Sequence, residues 1–450
     1  MSVSLLDRFP GPTTPPLLQL VAWGTGQHTY WNRNAARYGS PFRVRWPFFY
    51  EERVICFTTP SAAQTILRLP PEVAHGGEAN RVLEPSAGRT AVIVSDEDAH
   101  LRLRKLILPP LHGQRLARWE TFIGDRMRAE VDTWQPGDEF PLRPVIERVA
   151  LAVIMKIVFG VRDPKRAQLM HDLSPAKHDI SVLQGLGAFT KWARLDLGPF
   201  SPWGRFLRTR RRFDDLIYAE IADRRAEIAT DPARAEGRDD LLTMLLQARD
   251  EDGRPMTDVE LRDQLVTMLL AGHETTATAV AWAVERLTRT PHVLATLTAR
   301  LDDGDTTYLD AVVKETLRIR PVVAQLGRVT TQEVEIEGWT VPARTMLIVP
   351  MAVIHRDPSI YPEPTVFRPE RFLDGNDPGG YSWLPFGGGV RRCPGASLAQ
   401  LEMKVLLATI LRSVDLAPDR PPPEDRKAHG ITIQPARGCR VRVTGRRAPA

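Results

Sequence analysis

A single cysteine, Cys393, stands in the string Phe386 to Gly395, FGGGVRRCPG, immediately ahead of a segment with helical apolar spacing. The three glycines permit tight turns and close backbone approach. A thiol at a helix N-terminus faces unsatisfied N–H groups and the positive end of the helix dipole, and Arg391 and Arg392 add positive charge. The thiolate is favoured there, and a stable thiolate can ligate a metal. Cys56 and Cys439 have no such setting and read as small buried hydrophobes. Three cysteines, widely spaced and without a CxxC pair, point away from a disulfide framework and a cysteine-rich zinc site, and toward a reducing compartment.

A second group lies upstream in LLAGHETTATAVAWA, where Glu274 and Thr275 put a carboxyl and a hydroxyl in a run that is otherwise almost wholly apolar. Such a pair can relay protons. The bland reading is a packing notch: Ala271 and Gly272 let a helix approach a partner, and a threonine can bond back to its own turn. His100 and Arg104 share one helix face in HLRLRK; alone, His100 would be an ordinary surface histidine. The pattern E-x-x-R occurs at Glu78–Arg81, Glu251–Arg254 and Glu315–Arg318, and by itself means no more than an i,i+3 pair.

These groups need elements to position them. The opening residues 1–20, with Pro10, Pro12, Pro15 and Pro16, read as an extended arm. Phe42 to Phe57, around a polar EER turn, reads as a hairpin, and helical patterning dominates from about His100 to Arg320. Within it, Thr257 to Thr290 opens on a T-x-x-E capping box (Thr257, Glu260), stops before Pro291 and is apolar nearly all round at its centre. It should run through the middle of the protein. A helix over Leu309 to Arg320 ends at Pro321, and EVEIEGWTVPARTMLIV turns at Glu337 and Gly338 as a small sheet. From Asp357 to Gly395 the chain is a long Pro- and Gly-rich loop. A final helix, about Ala396 to Ser413, leads to a short strand near Gly438 to Val443.

The 450 residues are 43% hydrophobic and 26% charged, enough for a large core in a globular chain. Net charge is +5, but the 60 basic and 55 acidic residues are interleaved, unlike the clustered tail of many nucleic-acid binders. Arg208 to Arg212 reads as a solvated helix face. No signal-peptide pattern opens the chain, and the apolar stretch Leu17 to Trp23 is far short of the ~20 residues a membrane span needs. A cytoplasmic enzyme with no membrane span and no nucleic-acid partner is expected.

The string F-x-x-G-x-R-x-C-x-G, met by Phe386, Gly389, Arg391, Cys393 and Gly395, resembles the haem-binding loop of the cytochrome P450 family. AGHETT is similar to the family's oxygen-binding segment, A/G-G-x-D/E-T-T, through Ala271, Gly272, Glu274, Thr275 and Thr276. Of the three E-x-x-R strings, only Glu315–Arg318 is followed by Pro369, Glu370, Arg371 and Phe372, which resemble the family's PERF element. The resemblance implies a buried network of Glu315, Arg318 and Arg371 behind the haem, structural in role because removing one member leaves an uncompensated charge. His100 and Arg104 resemble the H-x-x-x-R pair that holds haem propionates in bacterial members, and Arg328 and Arg391 match two further such positions.

What this resemblance implies is one domain over residues 1–450, mainly α with a smaller β region, enclosing haem b (iron protoporphyrin IX) between the central helix and the cysteine-loop helix. Cys393 would hold the iron. Thiolate ligation favours O–O cleavage, which still needs two protons, and Thr275 with Glu274 would manage them. The implied reaction is monooxygenation of a mostly apolar small molecule, fatty-acid, terpenoid, steroid or polyketide-like. Electrons would come from a separate ferredoxin and ferredoxin reductase, an acidic ferredoxin docking near Arg391 and Arg392, and the enzyme would be a monomer. Peroxide-dependent turnover, isomerisation or coupling, or a haem sensor are the alternatives. The pocket is expected from the loop before His100, Leu173 to Trp203 with Phe189, Trp192 and Phe200, the central helix, Val322 to Leu326, and Gly430 to Ile433.

Overall fold

The computed structural model describes residues 5–47, 53–111, 113, 115–160, 168–170, 172, 196, 198–233, 237–375 and 377–447. It is mostly helical with small sheets, as expected, and its contacts form two compact units. One comprises Met1–His75, Glu120–Val149 and Thr275–Ala450; the other comprises Gly76–Trp119 and Ala150–Glu274.

The first unit contains the sheets. β1 (Phe42–Val44), β2 (Val54–Cys56), β3 (Ala74–His75), β5 (Leu326–Thr330) and β8 (Met346–Val349) form a five-stranded sheet in the order β1-β2-β8-β5-β3. The expected hairpin is present, with Phe42 opposite Cys56; Glu51 and Glu52 of its turn lie outside the described residues. β4 (Glu139–Pro141), β9 (Val414–Pro418) and β12 (Arg440–Arg446) form a second sheet. Two hairpins complete the set, β6 (Val334–Ile336) with β7 (Trp339–Val341), and β10 (Arg426–His429) with β11 (Thr432–Pro435). Glu337 and Gly338 make the first turn with φ of 50° and 77°, the left-handed region that glycine accepts without cost. The core behind the sheet gathers Phe9, Ile55, Phe57, Ile66, Leu67, Ile336, Leu347, Met351 and Leu384.

Two expectations for the N-terminal third need correction. The opening arm is extended only in part: Leu5–Arg8 is a 3-10 turn, and Pro16–Thr25 is an α-helix followed by a second over Gln27–Tyr38. Pro16 occupies the first turn, where its missing N–H costs nothing. Helices also begin well before His100, with Pro60–Arg68 capped by Thr59, whose hydroxyl accepts from Ala62 N–H at 3.1 Å.

The second unit is helical, with Glu97–Ile107, Pro202–Thr230 and Leu241–Gln247 beside the first half of the helix Asp258–Thr288. That central helix has the expected reciprocal cap: Thr257 N–H donates to Glu260 Oε2 at 2.8 Å, and Glu260 N–H to Thr257 Oγ1 at 3.2 Å. Buried ion pairs anchor the unit. Arg262 meets Asp214 and Asp263, while Arg224 meets Glu220 and Asp240. Asp263 also accepts from the Thr90 N–H and hydroxyl, so its charge is compensated on several sides. Arg208 to Arg212 lie on the long helix Pro202–Thr230, with Arg211 and Arg212 exposed as a solvated face should be.

Candidate haem-thiolate site

The long loop before the last helix is irregular, as the proline and glycine content required, and it is held from within. Gly387 and Gly389 have φ of 69° and 64°. A β-carbon on Gly389 would come within 1.9 Å of the Leu67 carbonyl oxygen, so this loop can lie against the helix Pro60–Arg68 only with glycine there. Cys393 N–H donates to Phe386 O at 2.8 Å, tying the two ends of the string together, and the helix Ala396–Ser413 starts after Gly395.

The three cysteines part company in burial. Cys56 and Cys439 are sealed in the core, and burial pushes both thiols well above their usual range. Cys393 is half-buried, at the start of a helix.

Behind the loop, Glu315 and Arg318 lie on the helix Thr307–Ile319, both wholly buried, and meet through two bonds: Arg318 Nε to Glu315 Oε2 at 2.6 Å and Nη2 to Oε1 at 2.8 Å. Arg371 Nε approaches Glu315 Oε1 at 3.5 Å, and Arg368 N–H donates to the same oxygen at 2.9 Å. The spare Arg318 donors reach the carbonyls of His355 and Pro364 at 2.7 and 2.9 Å. His355 Nε2 accepts from Leu384 N–H at 2.9 Å, two residues before Phe386. The imidazole is neutral: burial, then Arg318, pushes it down to about 3. The network therefore runs by hydrogen bonds from a buried ion pair to the base of the cysteine loop. The other E-x-x-R strings do not resemble it. Arg254, for instance, pairs with Asp250 and Asp252 on the surface.

The central helix is buried along most of both halves, from Leu261 to Leu269 and from Thr276 to Glu285, and opens in between. Ala271 is exposed; Gly272, Glu274 and Thr275 are half-buried. Gly272 does serve as a packing notch, since a β-carbon there would lie 2.7 Å from Ile154 Cδ1. The open stretch of this otherwise apolar segment carries a carboxyl, Glu274, and a hydroxyl, Thr275.

Sequence reasoning missed Glu402. It sits in the apolar stripe of the helix Ala396–Ser413, four residues from Leu398 and from Leu406, and is fully buried. Burial pushes its carboxyl up to about 8 against the opposing hydrogen bond to Thr276. A charged residue type inside a helical apolar stripe was the available signal.

His100 lies on the helix Glu97–Ile107 and is buried, not at the surface where a lone histidine would be expected. Arg104 is half-buried one turn on, whereas Arg102 is taken up by Asp250 and Glu260, both at 2.6 Å. In the first unit, Arg328 is buried on β5, opposite Leu347, and Arg391 is half-buried in the 3-10 turn Gly389–Arg391. Val322 to Leu326 and Gly430 to Ile433 meet: Ile433 N–H donates to Val322 O at 2.7 Å, and Val323 bridges to Thr432. Phe189 and Trp192 lie outside the described residues, as does most of Leu173 to Trp203; Phe200 is exposed.

The described residues therefore suit a flat, anionic, iron-bearing group on grounds of chemistry: an accessible thiol on a rigid loop, an open stretch on an apolar helix, and buried or half-buried cations. A family model for cytochrome P450 matches residues 9–439. The chain belongs to the cytochrome P450 family. Among curated relatives, it is 38% identical to putative cytochrome P450 135B1 of Mycobacterium tuberculosis over 449 residues, covering 97% of this chain and 92% of the relative. To putative cytochrome P450 135A1 of the same species it is 34% identical over 446 residues, covering 97% and 95%. Among solved structures, a retinoic acid-bound cyanobacterial CYP120A1 matches with a TM-score of 0.80 at 21% identity, over 97% of this chain and 99% of the other. The chain is thus a haem-dependent P450 monooxygenase, acting on a small molecule with electrons from a redox partner. Among the described residues, no helix is long and apolar enough to cross a membrane.

Proposed function

We propose that this P450 inserts one oxygen atom of O2 into a mostly apolar small molecule of fatty-acid, terpenoid, steroid or polyketide-like class, with Cys393 as the iron ligand. The observation that carries the ligand assignment is the contrast among the cysteines: two are sealed in the core, and Cys393 is accessible on a loop closed by its own N–H. Bound through a thiolate, the haem supplies the oxygen-activating chemistry. The protein's own residues do the rest. Phe386, Gly389 and Gly395 shape the loop around the thiol. His100, Arg104, Arg328 and Arg391 neutralise the propionates, which buried carboxylates require. Ala271, with no side chain beyond its β-carbon, would leave room beside the bound group, and Thr275 and Glu274 would hold and pass protons taken from water. Val322 to Leu326 and Gly430 to Ile433, joined by the Ile433–Val322 bond, present an apolar wall to substrate.

The electron donor is an acidic ferredoxin that docks where Arg392 and Val390 are exposed beside the cysteine, with its reductase upstream. The enzyme works as a cytoplasmic monomer built as one P450 domain. The test is NADH-driven oxygen uptake with ferredoxin and reductase, together with a screen of apolar compounds by the haem absorption shift. Substrate-dependent uptake is expected to slow as salt rises and on Arg392→Glu. Turnover that runs on peroxide alone, or uptake indifferent to salt and to Arg392→Glu, would refute the oxygen or the docking assignment respectively.

A further inference from the structure

Three arginines and a histidine that the monooxygenase reading leaves unused come together in the first unit. Arg320 closes the helix Thr307–Ile319 with its Cζ 4.9 Å from the Trp282 ring centroid, and Trp282 Nε1 donates to Ile433 O at 3.0 Å. Arg426 opens β10, opposite Pro435 of β11. Arg356 follows the short helix Met351–Ile354, its N–H bonded to Val353 O. His28 lies on the helix Gln27–Tyr38, whose Asn32, one turn on, donates to Ala352 O at 3.5 Å. Gln325 Oε1 accepts from Trp23 and Trp31 at 2.9 and 2.6 Å, fastening the first two helices to the segment after Arg320.

His28 and Arg320 are only 6% and 8% exposed. His28 Nε2, Arg320 Nε, Arg356 Nε and Arg426 Nη2 are all shielded from solvent, and none has a hydrogen-bond partner among the described residues. Burial, then Arg320, Arg356 and Arg286, pushes Arg426 down to about 8. Burial, then Arg426, Arg356 and Arg320, pushes His28 down to about 2, leaving a neutral ring able to donate. The carboxylate that acts on Arg320 and Arg426 is Glu285, already engaged by Arg286, by Arg289 at 3.0 Å and by the Glu424 N–H at 3.2 Å. A guanidinium keeps its proton in a protein, so titration does not relieve this crowding, and each buried donor left without a partner is costly.

We propose that Arg320, Arg356 and Arg426, with His28, form a binding site for a small oxyanion, a phosphate or a carboxylate, that ties the β10–β11 hairpin to the N-terminal helices. Guanidinium forks match such anions in shape as well as charge. The anion would steady Ile433 through the hairpin and Trp282, behind the proposed substrate wall.

The test titrates the haem-loaded protein separately with inorganic phosphate and with acetate, chloride holding ionic strength constant, and follows calorimetric binding and thermal unfolding. One-site saturable binding of at least one of them is expected, with the unfolding temperature rising on the order of 3 °C at about 100 times the dissociation constant. The tighter ligand identifies the anion as phosphate-like or carboxylate-like. Arg426→Gln should weaken binding by about tenfold or more while raising the unfolding temperature in anion-free buffer, because one repelling charge is gone. His28→Gln should weaken binding without that rise; it reads the site should Arg426→Gln not fold. Equal, non-saturating responses to phosphate, acetate and chloride, or wild-type affinity in the variants that fold, would overturn the proposal.

Discussion

The network behind the cysteine loop and the middle of the central helix both place carboxylates on helices that are buried along most of their length, yet they are built on opposite terms. Around Glu315 the carboxylate oxygens and the Arg318 guanidinium are used up in bonds to one another, to Arg368 N–H and to the carbonyls of His355 and Pro364. Around Glu274 and Thr275 the helix is open to access. A saturated network can hold a loop in one geometry but has nothing left to offer a reactant. An accessible carboxyl–hydroxyl pair can exchange protons with water. On the proposed function, the difference separates residues that position from residues that react.

The sharpest test of that division is at the loop the network supports. Cys393→His is expected to keep haem but abolish the thiolate spectrum of the ferrous carbonyl complex and drop turnover to background. Cys56→Ala, in the core, should leave that spectrum intact, and a thiolate signature surviving in Cys393→His would overturn the ligand assignment. Next in size, Arg318→Met strips the wholly buried Glu315 of its two-bond partner, leaving it only Arg371 at 3.5 Å and the Arg368 N–H, and should cost about 3–5 kcal/mol in chemical denaturation. Arg254→Ala, in a surface E-x-x-R string, should change stability by less than about 0.5 kcal/mol. If the two cost the same, the network has no special standing. On the other side of the comparison, Thr275→Ala should preserve stability and the carbonyl spectrum while product formed per O2 falls by roughly 10²-fold and peroxide accumulates. Unchanged coupling would remove Thr275 from proton delivery and leave the haem assignment intact.

The smallest effect is a dependence of stability on pH with two opposing parts. His355 is held to about 3 in the fold against an ordinary 6.5, so the unfolded chain binds the extra proton and stability falls as pH drops from 6.5 toward 3. Glu402 is held at about 8 against an ordinary 4.5, so the folded chain binds the extra proton and stability falls as pH rises from 4.5 toward 8. Glu402→Gln should flatten the slope between pH 6.5 and 8, where His355 contributes nothing. A denaturation series that keeps its slope in the variant would place the titrating group elsewhere.

Much of this was legible in the chain. The helix Ala396–Ser413 was read to the residue, because its apolar spacing and the glycine before it are local signals. The capping box placed the start of the central helix within one residue for the same reason. The helices Pro16–Thr25 and Gln27–Tyr38 were not foreseen: prolines suggested an arm, and a proline at the first turn costs a helix nothing. Glu402 escaped although its place between Leu398 and Leu406 in an apolar stripe was a signal, because spacing alone does not say how completely that stripe is covered.

The sequence by itself determined the chemistry on offer, namely one thiol in a glycine-rich loop ahead of a helix, a carboxyl and a hydroxyl in an apolar run, and the charges of the E-x-x-R pair. Those follow from residue type and spacing, which act over a turn or two. Only the tertiary structure decided which E-x-x-R is buried, which cysteine remains accessible, that Glu402 holds its proton, and that His28 lies among Arg320, Arg356 and Arg426. Burial and electrostatic crowding depend on what distant segments bring alongside, and the positions gathered around His28 are separated by up to nearly 400 residues of chain.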